Sequence, residues 1–197
     1  MIFIRKIFIV LLFFNLSYGH VSSMEPDIFV QSTVNRASQI LGDDIPKDEK
    51  IEKLKIIATD TVDIRGIGFY TLGKFRKGLN DAEKEEYTKL FREYFLKSFS
   101  SRLAEYTNPK IDVQSQEKLN DKYTIVSSIL VATDTRPEIK IQWRVYTKDP
   151  EKPLIRDLII EGLSLARTQK EEFNSIIQSN DGNIQALFSS LKKFINN

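Results

Sequence analysis

The chain has 197 residues, with 29 basic and 27 acidic side chains, one histidine and no cysteine. Without thiols there is no disulfide framework, no thiol nucleophile, no cysteine-based metal site and no lipid anchor on an N-terminal cysteine. The composition, 41% hydrophobic and 28% charged, is that of a globular chain of single-domain size, and the near balance of charge argues against wrapping nucleic acid.

The first 19 residues carry an address. Arg5 and Lys6 form a short positive region, Ile7–Phe14 is an unbroken apolar run, and Ser17-Tyr18-Gly19 places small residues where a signal peptidase reads. The run is far shorter than the ~20 apolar residues that span a bilayer. The expectation is a cleaved signal peptide over residues 1–19, with an alternative cut after Ser23. Export to the periplasm follows, with a single domain over residues 24–197. Removing Arg5 and Lys6 leaves 29 − 2 = 27 basic against 27 acidic residues. His20, the one histidine, falls at the cut.

Residues 26–42 read as a helix: Pro26 suits a first turn, Ile28, Phe29, Val34, Ala37, Ile40 and Leu41 share a helical spacing, and Gly42 ends the pattern. A second helix follows over 47–59, with Ile51, Leu54, Ile57 and Ala58 on one face. Asp60 and Asp63 flank a short helical stretch through Gly66, Gly68 and Leu72-Gly73. Asn80-Asp81-Ala82-Glu83 has the form of a capping box, and behind it the longest helix, about 82–106, carries a broad aromatic stripe. Asn108-Pro109 stops it.

The period then changes from helical to alternating. Ile111 and Val113 alternate with polar residues; so do Tyr123, Ile125, Ile129 and Val131, and then Ile139, Ile141, Trp143 and Val145. Residues 154–165 read as one longer strand, apolar on both faces at Leu158-Ile159-Ile160. Four strands with short connections imply an antiparallel sheet, wetter on its Lys140, Gln142 and Arg144 face. Phe173, Ile176 and Ile177 mark a further helix, and Ile184, Leu187, Phe188, Leu191, Phe194 and Ile195 mark the last. The fold class is therefore α+β: N-terminal helices, a four-stranded antiparallel sheet and two C-terminal helices.

Catalytic signatures are missing. A histidine base, a zinc motif, a Walker loop and a dinucleotide fingerprint are all absent from the expected domain. Gly66-Ile67-Gly68 reads as close helix packing. Asp157 and Glu161, four apart, are the one carboxylate pair a glycosidase-like reading could use; solvation or pairing with Arg or Lys is the simpler reading. The expectation is a protein that is not an enzyme and needs no metal or cofactor.

Several segments together resemble the MlaC-type phospholipid-binding family, the toluene-tolerance auxiliary component of an ABC transport system. They are Val62-Asp63 with Leu72-Gly73-Lys74-Phe75 and Leu79-Asn80-Asp81-Ala82-Glu83; Phe91-Arg92-Glu93-Tyr94-Phe95 through Leu103-Ala104-Glu105-Tyr106; and Trp143-Arg144-Val145-Tyr146 with Asp157 through Leu165. The likeness continues past Phe173 to Gly182 and Leu187, and spans about residues 30–195. Phe75 stands where relatives carry Trp, and Thr168-Gln169-Lys170 where they carry Asn-Tyr-Arg.

The resemblance implies a monomeric periplasmic carrier of phospholipid that helps maintain outer-membrane lipid asymmetry. Its partners would be an inner-membrane ABC transporter complex and an outer-membrane lipoprotein–porin complex, with the lipid as cargo and the acyl chains in an apolar pocket between sheet and helices. The pocket-lining candidates are Phe91, Tyr94, Phe95 and Phe99 on the long helix and Ile125, Ile129, Ile139, Ile141, Trp143 and Val145 on the sheet. Ordinary core packing is the alternative for each, and an exported adaptor with a filled core is the alternative for the whole.

Overall fold

A computed structural model describes residues 24–197; the signal-peptide reading and His20 lie outside them. Among the described residues, no helix is long and apolar enough to cross a membrane. Helix α1 runs Pro26–Gly42 and has proline in its first turn. Helix α2 follows at Lys47–Thr61. Asp63 then caps α3 (Ile64–Thr71), its carboxylate accepting from the Gly66 N–H. A 3-10 turn over Gly73–Gly78 leads to α4, Asp81–Leu103. The capping box at its start is complete: Asn80 accepts from the Glu83 N–H, and the Glu83 carboxylate accepts from the Asn80 N–H.

Five antiparallel strands follow in sequential order: β1 (Ile111–Asn120), β2 (Tyr123–Leu130), β3 (Ile139–Tyr146), β4 (Leu154–Ile160) and β5 (Leu163–Ser164). Two helices close the chain, α5 (Leu165–Gln178) and α6 (Ile184–Asn196). The sheet has one strand more than the periodicity predicts. Glu161 and Gly162 both have positive φ, 48° and 82°, which makes a two-residue hairpin turn and folds Leu163-Ser164 back onto Ile159-Ile160. The expected single strand over 154–165 is thus a strand, a turn, a two-residue edge strand and the start of α5. Asp157 and Glu161 consequently do not share a strand face.

The phase of β2 also differs from the alternation read in the sequence. Thr124, Val126, Ser128 and Leu130 are buried, while Ile125 and Ile129 are only half-buried. Val126 lies opposite Trp143 and Ser128 opposite Ile141, whereas Ile125 pairs with Arg144 and Ile129 with Lys140. A slip of one residue would exchange the two faces. The indole decides: Trp143 Nε1 donates to Ser128 Oγ at 2.8 Å. A buried Trp N–H left unpaired would be costly, so the small polar residue turns inward and the isoleucines turn outward.

Helix α1 packs on β1 and β2, α3 and α5 pack on β4, and α4 lies against α2, α3 and α6. One continuous apolar cluster joins them, including Val30, Phe91, Val126, Val145, Ile177 and Phe188. Tyr87 belongs to it and is fully buried, its hydroxyl 2.8 Å from Thr71 Oγ1 and donating to the Gly68 carbonyl at 3.1 Å.

Two measurements check this framework. Asn80→Ala removes half of the capping box and is expected to cost about 1 kcal/mol in urea unfolding. Burial holds the Tyr87 hydroxyl well above its ordinary value of 10.0. Its contribution is fully present below that pH and is lost as pH rises beyond it, because the unfolded chain ionises first. Tyr87→Phe should therefore cost about 1 kcal/mol near neutrality and flatten the alkaline decline of stability; an unchanged alkaline limb would contradict the assignment.

Candidate functional site

Helix α4 turns its aromatic stripe toward the inner face of the sheet. Phe91, Phe95 and Phe99 follow one another at helical spacing. The Phe91 and Phe95 rings stack with centroids 6.1 Å apart, and Phe95 and Phe99 with centroids 5.3 Å apart. Phe173 of α5 meets Phe91 edge-on at 6.2 Å. Beyond these rings lies a cavity of about 230 Å³. Phe91, Tyr94, Phe95 and Phe99 form one wall, Trp143, Ile155 and Leu158 of the sheet another, and Leu165 and Ala166 at the start of α5 a third. Val62 and Ile67 complete the apolar lining.

The polar groups stand at particular points of this wall. Ser98, Arg102, Thr168, Gln169 and Glu172 line it on the α4 and α5 sides. Tyr94 donates to Gln169 Oε1 at 2.7 Å. Burial, aided by the Glu172 carboxylate, holds the Tyr94 hydroxyl above its ordinary range, so it remains a hydrogen-bond donor at any physiological pH. Asp157 is buried, yet both of its oxygens are engaged: Ser164 donates to Oδ2 at 2.6 Å and the Ala166 N–H to Oδ1 at 3.0 Å. It joins the start of α5 to β4. Glu161 lies in the hairpin turn and accepts from the Lys140 N–H.

Of the ten residues read from the sequence as pocket-lining, five come together here: Phe91, Tyr94, Phe95, Phe99 and Trp143. Ile141 and Val145 share the inner face with Trp143 but are packed into the core, and Ile139 packs against that core; none of the three reaches the cavity wall. Ile125 and Ile129 lie on the opposite face, for the reason given by the Trp143–Ser128 bond. Leu158 and Ile155 take their place. The two-sided apolar run at 158–160 was the only sequence signal for Leu158. Val62 reaches the site because it bridges Ile155 in parallel at the sheet edge, a pairing with no local signature.

Gly66-Ile67-Gly68 works as packing, with Ile67 on the cavity wall. A Cβ on Gly68 would stand 2.8 Å from Cδ1 of Phe91. One on Gly66 would stand 2.3 Å from the Asp63 carboxylate that caps α3.

Comparison with known proteins decides the lineage. The family model described as MlaC protein matches residues 31–193. The chain belongs to the MlaC protein family. Among solved structures, a phospholipid-binding protein from Ralstonia solanacearum, in complex with a phospholipid, has the same fold. The TM-score is 0.73, over 88% of this chain and 98% of that one, at 18% sequence identity. This MlaC-family fold, of N-terminal helices, antiparallel meander and C-terminal helices, is the α+β arrangement read from the sequence, with β5 added.

The close approach at Gly68 gives a direct check. Gly68→Ala forces the Phe91 ring to shift against Phe95 and Phe173, and overpacking of this kind costs about 1–3 kcal/mol. Thermal unfolding of the variant should show a lowered midpoint; no change would mean that Phe91 has free space beside it.

Proposed function

We propose that this MlaC-family chain is a phospholipid carrier that works in the periplasm, shuttling lipid between the outer and inner membranes as the soluble part of an ABC-type system. The observation that carries this reading is the aromatic and aliphatic cavity between α4, α5 and the inner face of the sheet. Family membership supports it, as does the shared fold of a protein solved with a phospholipid. A two-tailed lipid with ~30 methylenes costs ~24 kcal/mol to expose fully to water. A carrier must replace nearly all of that contact with apolar side chains, and a wall of Phe, Trp, Leu and Ile is the chemistry that does so.

The cavity of about 230 Å³ is smaller than the ~300–1,000 Å³ usual for small-molecule pockets, and smaller than two acyl tails require. Loading a diacyl cargo therefore needs α4 and α5 to draw away from Trp143 and Leu158. The half-buried rings of Phe95 and Phe99 and the side chain of Leu158 are the groups that would exchange contacts with each other for contacts with the tails. The small volume also favours the second reading, an exported adaptor with a filled core. In the carrier reading the protein acts as a monomer, performs no covalent chemistry and takes no cofactor besides its cargo. It meets an inner-membrane transporter complex and an outer-membrane lipoprotein–porin complex, and it has no role on nucleic acid.

Native mass spectrometry of protein purified without detergent separates the readings. A carrier retains stoichiometric phospholipid, which organic extraction removes. Leu158→Asp places a charge on the cavity wall and should cut retention at least roughly tenfold, since an unpaired charge among acyl chains is strongly disfavoured. Ile28→Asp, at an exposed site on α1, should retain lipid normally. A folded Leu158→Asp variant with undiminished lipid, or native protein free of lipid, would favour the adaptor.

A further inference from the structure

A second cavity, of about 490 Å³, lies beside the first and shares Ile67, Asp157 and Ala166 with it. Its wall is mixed: three arginines are set among Ile67, Leu119 and Ala166. Arg76, Arg144 and Arg156 line it, together with Tyr70 and Tyr123. Arg144 projects from the outer face of β3, paired across the strands with Ile125. Arg76 comes from the 3-10 turn. The stretch 64–79, which supplies Gly66, Tyr70 and Arg76 to the wall, carries Arg65, Lys74, Arg76 and Lys77 and no carboxylate.

The negative charge near this cavity is already committed. Asp63 receives Arg156 through Nε at 2.6 Å and Nη2 at 2.5 Å, and also caps α3. Arg156 further donates to the Tyr123 hydroxyl at 2.8 Å and lies 3.9 Å from the centroid of the Tyr146 ring. It is a fixed part of the wall. Asp157 is held by Ser164 and the Ala166 N–H, and its Oδ2 also forms a long ion pair with Arg144 Nη1 at 3.8 Å, with no hydrogen bond between them. Arg144 Nε is buried and makes no hydrogen bond. Arg76 is exposed and takes part in no ion pair among the described residues. Arg76, without an ion pair, and Arg144, with one long ion pair and no hydrogen bond, thus line one cavity beside a third guanidinium that is locked in place.

From this we infer that the second cavity binds a phosphoryl group, with Arg76 and Arg144 as its ligands and Arg156 as the rigid wall behind them. Planar guanidinium forks match a tetrahedral oxyanion from more than one side, which an ammonium does not. The volume exceeds that of bare phosphate, so the site has room for a small alcohol esterified to it. The same chemistry is offered by a lipid headgroup and by free phosphate. The inference goes beyond the carrier reading and does not rest on it, since no residue of the acyl-chain wall is invoked as a ligand.

The test is calorimetric titration of the purified protein with inorganic phosphate and, separately, with sn-glycerol 3-phosphate. Saturable binding is expected. Arg76→Gln and Arg144→Gln should each weaken it roughly tenfold, the scale of one charge-assisted hydrogen-bonding partner, while Arg92→Gln on α4 leaves it unchanged. Tighter binding of the glycerol ester assigns the site to a lipid headgroup or its hydrolysis product; equal binding assigns it to the free anion. Arg76 is exposed, so its variant is read even if Arg144→Gln fails to fold. The inference is overturned if neither compound saturates below about 10 mM, the limit of a useful site, or if Arg76→Gln binds as the parent does. Lipid retention is not read in this experiment, so its outcome and that of the carrier test remain separate.

Discussion

A buried indole N–H must find an acceptor, and in this protein that requirement fixes which face of the sheet is greasy. Trp143 donates to Ser128, and the register of β2 on β3 places Val126, Leu130, Ile141 and Val145 on the same side. Everything that covers this face depends on that phase. The α4 rings, the α5 start and the α1 stripe all pack on residues that point the way Trp143 points. Were β2 shifted by one residue, Ile125 and Ile129 would enter the core and Ser128 would face water, leaving the indole without a partner.

The inner face serves two purposes along its length. Toward Val126, Leu130 and Ile141 it is packed core, joined to α1. Toward Trp143, Leu158 and Ile155 it borders a small cavity that α4 and α5 roof over. The roof contains half-buried aromatic rings, and the α5 end is pinned by Asp157 through Ser164 and Ala166. On the α4 side, Phe95 and Phe99 are held by dispersion and stacking, while Tyr94 ties α4 to α5 through Gln169. The proposed carrier role needs a rigid floor and a roof whose contacts can be exchanged for those of a lipid tail.

The two faces of the sheet also divide polar from apolar chemistry at short range. Ile67, Asp157 and Ala166 border both the apolar cavity and the arginine-lined one. Asp157 can sit at that boundary because its charge is met by hydrogen bonds from Ser164 and the α5 N-terminus, a favourable place for a carboxylate. The neighbouring Arg156 is likewise fixed, by Asp63 and Tyr123. A bulge between the Arg144–Asp157 and Val145–Ile155 pairs leaves Arg156 as the extra residue of β4 at this point.

Local patterns determined a good deal by themselves. Helix α1 starts at Pro26 and ends at Gly42 as its punctuation requires, and the capping box at Asn80 and Glu83 starts α4 where it does. The strict alternation of β3 put Trp143, Ile141 and Val145 on the buried side, and the stripe of α4 put Phe91, Tyr94, Phe95 and Phe99 together. These signals are legible because capping and one-sided burial act over a few residues. What the tertiary structure decided is the phase of β2, the split of 154–165 into two strands and the entry of Val62, Ile155 and Leu158 into the site. Each of these depends on partners distant in sequence or, at Glu161-Gly162, on a turn inside an apolar run. Strands apolar on both faces carry no internal mark of which side is in, and only the cross-strand neighbour that needs a hydrogen bond supplies it.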